Sequence, residues 1–134
     1  MSRWTFGIAV VVAAILAGMT PAQDKTPTIK EIMTKLNKPG AIYPSLSKEL
    51  KAAAPDWDEI HSQVKTFAKL AAELGKNEPP KGDKSSWQKL TKAYADNAKA
   101  LEKTAQKKDR SATQLALAKL GGAACGACHK SHKK

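Results

Sequence analysis

The sequence predicts an all-α protein, an antiparallel four-helix bundle, on three observations. Past the first two dozen residues the chain is rich in Ala, Lys, Leu and Glu and poor in Val and aromatics. Apolar residues recur at three- and four-residue spacing, and no stretch alternates β-branched with polar residues. The prolines fall in clusters that divide the chain into helix-length segments with short connections, the pattern of antiparallel neighbours.

The first helix opens at Thr28-Ile29-Lys30-Glu31, where Thr28 and Glu31 have the spacing of a capping box. Ile29, Ile32, Met33 and Leu36 form its apolar stripe, and Asn37-Lys38-Pro39-Gly40 stops it, since proline cannot continue the hydrogen-bond ladder. A short helical piece is expected over Ser45–Ala53, ending at Pro55. Asp56 caps the second long helix, which runs to Leu74 with Trp57, Ile60, Val64, Phe67, Ala71 and Leu74 inward. GKNEPPKGDKSS is the clearest loop. The third long helix starts after Ser85 or Ser86 and carries Trp87, Leu90, Tyr94, Ala98 and Leu101. QKKDRS breaks it, and the fourth runs from about Ala112 through Leu117, Leu120 and Ala124. Many seam positions are Ala, which predicts a thin aliphatic core with room for a bulky apolar group.

Residues 1–22 read as a secretory signal peptide. Arg3 gives a positive start, Phe6–Gly18 is apolar, and small residues lead to a cleavage point after Ala22. The apolar run is shorter than the 18 or so residues of a membrane span. The domain is therefore 23–134, exported to the periplasm, with no stable membrane insertion once the signal is cleaved. The whole chain carries a net charge of +11, which favours acidic partners and says nothing of fold. Nucleic acid is not expected as a partner: the address is outside the cytoplasm, and Lys and Arg are spread through every segment without interleaved aromatics.

The only two cysteines stand in Cys125-Gly126-Ala127-Cys128-His129. Four readings are open. In the first, each thiol adds across a vinyl group of haem and His129 ligates the iron; residues three apart share a helix face, and the next residue can turn toward the same macrocycle. In the second the thiols form a disulfide or a redox pair, although that motif belongs to folds with strands and has no use for the histidine. In the third, zinc takes Cys125, Cys128, His129 and His132, the four ligands of a structural site. In the fourth both cysteines are simply buried. Export favours the first, because bacteria attach haem covalently outside the cytoplasmic membrane.

A four-helix sequence with Cys-x-x-Cys-His on its last helix, a few residues from the end, resembles the class II c-type cytochromes, the cytochrome c-prime and c-556 group. The resemblance covers 23–134 in layout and the pentapeptide at residue level. It implies haem c attached at Cys125 and Cys128 on the last helix, with His129 as axial ligand. Members often have an aromatic residue and an arginine three and four positions after the histidine; here His132 and Lys133 stand there.

The resemblance also places the other haem face against the first helix, where some members carry a ligating Met and others an apolar residue. Met33 lies on that helix's stripe and is the candidate sixth ligand; otherwise it is ordinary core. His61, at the edge of the second stripe, and His132, expected to face solvent, are rivals. Trp57, Phe67, Trp87 and Tyr94 sit at core positions. Lys130, Lys133 and Lys134 lie nearest the motif and could steer an acidic redox partner. The expected function is one-electron carriage by a periplasmic mono-haem c-type cytochrome, not an enzyme, since no acid–base pair or nucleophile constellation stands near the motif. The alternative is a five-coordinate haem protein binding small gases such as NO or CO. The resemblance further implies a homodimer formed through the first helices.

Overall fold

A computed structural model of the protein describes residues 25–134; the signal assigned to 1–22 lies outside them. The described residues are all-α, with no strand among them. The helices are α1 (Ile29–Asn37), α2 (Ile42–Glu49), α3 (Trp57–Leu74), α4 (Lys84–Gln106), α5 (Arg110–Lys119) and α6 (Cys125–His132). A π-turn over Leu120–Ala124 joins α5 to α6 in one continuous helical run. Among the described residues no helix is long and apolar enough to cross a membrane.

The starts of α1, α3, α4 and α5 follow from a side chain that satisfies free N–H groups of the first turn. The Thr28–Glu31 capping box forms in both directions. Asp56 accepts from the Asp58 and Glu59 N–H groups at 3.1 Å. The third long helix begins earlier than Ser85, because Asp83 is the cap, accepting from Ser86 N–H at 2.7 Å, and the serines lie inside the first turn. Asp109 likewise starts α5 at Arg110 rather than Ala112.

The short helix is also displaced from Ser45–Ala53 to Ile42–Glu49. Gly40, at φ +78°, turns the chain into it. Pro44 then occupies the first turn, where its missing N–H has no helical partner to lose.

The core is fuller than the seam alanines suggest. Ile32, Leu36, Leu46, Ile60, Val64, Phe67 and Leu101 have no exposed surface. Leu46 of α2 and Leu50 just after it, together with Leu70 of α3, supply aliphatic bulk that the long-helix stripes alone did not. The most extensive contact is between α3 and α4, and α4 also packs on α5 and α6. Helix α1 packs on α2 and α3, and has no backbone contact with α6. That separation creates the site.

Candidate functional site

The π-turn fixes how α6 is presented. On α5 the buried positions step by four and three, Thr113, Leu117 and Leu120. A regular helix would continue to Ala124 and then to Ala127 or Cys128. The π-turn takes an extra residue into one turn, so Ala124 and Cys125 both face inward, and that face continues through Cys128 to His132. The burial pattern agrees: Cys125 and Cys128 are half-buried and His132 is buried, while Gly126, Ala127 and Ser131 are exposed. The Cys125 thiol donates to the Leu120 carbonyl at 3.0 Å, using an acceptor in the widened turn.

Gly121 leaves room in that turn for the Tyr43 side chain. A Cβ there would collide with the Tyr43 hydroxyl, which lies over the backbone. The sequence signal was present in Gly121-Gly122, but helical periodicity carried through it and missed the change of phase.

Between α1 and α6 lies a cavity of about 880 Å³, within the ~300–1,000 Å³ of cofactor and ligand sites. Ile29, Met33 and Asn37 line it from α1, and Cys125, Cys128 and His129 from α6. Leu74, Trp87 and Tyr94 belong to both the core and the cavity wall. The charged side chains on its wall are Lys30, Lys133 and Lys134, with no carboxylate among them. Lys30 was not anticipated, because its proximity to the motif exists only in three dimensions; Lys130 is exposed and does not line the cavity.

The candidate residues separate clearly. Both cysteines are free thiols. Burial pushes their pKa values up, with Cys125 pushing Cys128 further, so near neutrality they are thiols rather than thiolates. His129 is exposed at the cavity's edge. The Met33 side chain reaches the cavity half-buried, and its sulfur accepts from the Asn37 amide at 3.5 Å. His61 does not line the cavity; its Nε2 lies 2.7 Å from the Ala105 carbonyl, to which it donates at the end of α4.

His132 corrects an expectation, since it is 2% exposed rather than facing solvent. Its Nδ1 donates to the Lys81 carbonyl at 2.8 Å, and its Nε2 is 3.2 Å from the Ser86 hydroxyl. Both ring nitrogens are thereby engaged, and the four residues of the zinc reading do not converge. Among the described residues no group of three or more His, Cys, Asp and Glu is arranged to hold a metal ion.

One imidazole and one thioether are too few for a bare cation. They suffice for an iron already held by a macrocycle. A large apolar cavity with two thiols on its wall and lysines at its rim suits a flat apolar group with an anionic edge. No protein-family model, curated protein or solved structure matches the chain.

Proposed function

We propose that the protein is a periplasmic mono-haem c-type cytochrome, an antiparallel four-helix bundle that carries one electron between partners and is not an enzyme. One observation carries this reading. Cys125, Cys128, His129 and Met33, singled out from two distant segments of the sequence, line one apolar cavity between helices that make no backbone contact.

Cys125 and Cys128 would hold haem c through two thioethers. Forming them would consume one S–H of each cysteine and one C=C of the group, with no oxidant needed. His129 and Met33 would be the chain's ligands to its iron. The bound haem supplies a ferrous–ferric couple. The chain's own residues set its environment: Leu74, Trp87 and Tyr94 exclude water, the thioether of Met33 favours the ferrous form relative to a second histidine, and Lys30, Lys133 and Lys134 offer positive charge to haem carboxylates or to an acidic redox partner.

Covalent attachment is the decisive test. Haem staining is expected to survive denaturing electrophoresis, and Cys125→Ala with Cys128→Ala is expected to abolish it. An intact mass equal to the bare polypeptide would sink the proposal.

A further inference from the structure

We propose that His132 is a positioning residue for His129, tethering the motif helix to the loop between α3 and α4 and thereby setting the axial ligand's geometry. The inference rests on the haem reading and adds a residue to it. His129 itself is exposed, so its ring is aimed chiefly by the placement of its helix. That helix is the last eight residues of the run that begins at Arg110, beyond the π-turn, so its orientation at the cavity depends on what its free end packs against.

His132, one turn beyond His129, is its anchor. The Lys81 carbonyl can only accept, so the His132 proton sits on Nδ1. Nε2 is then the acceptor for the Ser86 hydroxyl. The ring edge packs on Trp87 at 5.4 Å between centroids and 75° between planes.

The loop is shaped to receive it. Gly82, at φ +81°, approaches so closely that a Cβ would stand 2.8 Å from the Ser131 carbonyl and 3.0 Å from His132 Nδ1. From Trp87 the connections continue to the far side of the cavity. Its Nε1 donates to the Asn77 carbonyl at 2.7 Å, and the Asn77 amide donates to the Pro27 carbonyl, just before α1, at 3.1 Å. The tether therefore references the His129 helix to the helix that carries Met33. Groups that orient a metal-bound histidine typically govern its affinity by about 10–100-fold.

The experiment uses the purified full-length haem-loaded protein. His132→Phe keeps the ring against Trp87 but removes both polar bonds. His132→Asn restores a donor where Nδ1 stands, and Ser86→Ala removes the hydroxyl alone. Haem staining is scored first, then the acid pH at which the haem absorption band reports loss of the His129–iron bond, and the reduction potential. Protons compete with iron for His129, so each tenfold loss of affinity raises that pH by about one unit.

His132→Phe is expected to keep covalent haem, raise the acid midpoint by about one to two units and move the potential. His132→Asn is expected to recover most of the change, and Ser86→Ala to show a smaller shift in the same direction. A His132→Phe protein with attached haem and wild-type midpoint and potential overturns the inference. If that variant does not accumulate, Ser86→Ala decides, and a wild-type midpoint overturns it. Wild type without covalent haem overturns the haem reading itself, and the tether's role with it.

Discussion

Met33 is half-buried on the cavity wall, packed against the edge of the core, and its sulfur accepts from the Asn37 amide. If it ligates, ferric protein is low-spin with a weak sulfur-to-iron charge-transfer band at the red end of the visible spectrum. Met33→Ala should then become high-spin and bind carbon monoxide in the ferrous form much faster, while His61→Ala changes neither. A wild type that is already high-spin and takes up carbon monoxide readily would transfer the argument to gas binding. Gly121 gives a second residue-scale test. In an ordinary helix Gly→Ala stabilises by about 1 kcal/mol; here the Tyr43 hydroxyl stands where the Cβ would go. Gly121→Ala should destabilise by roughly 1–2 kcal/mol, since overpacking typically costs about 1–3. In a Tyr43→Ala background the same change should turn neutral or stabilising, read from paired thermal melts.

The elements were legible where a local signal determined them. The Thr28 capping box, the Asp56 cap and the end of α3 at Leu74 stood in the sequence, because a capped helix start depends on three or four neighbouring residues. The shift at Lys84 came from choosing between adjacent caps, Ser85 against Asp83, whereas the start at Ile42 has no side-chain cap to mark it. Contacts between elements left no such trace. Arg110, the first residue of α5, donates through Nε to the Leu50 carbonyl at 2.8 Å and through Nη2 to the Ala52 carbonyl, both just past α2. Gln114 adds a bond to Leu50 at 2.8 Å. Arg110→Ala should cost about 1–3 kcal/mol, the scale of hydrogen bonds to a charged donor. Arg110→Lys should recover little, because a single ammonium lacks the planar fork; denaturant midpoints at an unchanged slope would check both.

For the molecule as a whole, the cavity is a gap in the apolar core. A haem covering several hundred Å² of apolar surface is worth roughly 10 kcal/mol before ordering costs, comparable with the entire stability of a domain. The chain with both cysteines replaced by Ala should therefore be molten, helical in the far ultraviolet without a cooperative melt. A native-like melt would overturn that expectation. Tyr94 governs the alkaline limit. Burial pushes its phenol well above the ordinary range, with Cys125, Tyr43 and Cys128 adding to the effect. The folded state thus keeps a proton that the unfolded chain releases near pH 10. This stabilisation is complete below that pH and is lost as pH rises toward the folded value. Melting temperature should fall above about pH 10, and Tyr94→Phe should flatten the fall.

The sequence by itself determined the helical class and the ends of α1 and α3, and it carried the Cys-x-x-Cys-His pattern, because capping, proline stops and that motif are local. It also put Met33 on the inward stripe of its helix. Only the tertiary structure decided that Met33 and the motif line the same cavity, that Lys30 belongs to its wall, and that His132 is buried rather than facing solvent. The π-turn brings Cys125 to the inward face beside Ala124, and Gly121 within it lies against a tyrosine of α2, far away in the chain. Local periodicity has no access to such a partner. Packing does, because two groups cannot occupy the same space.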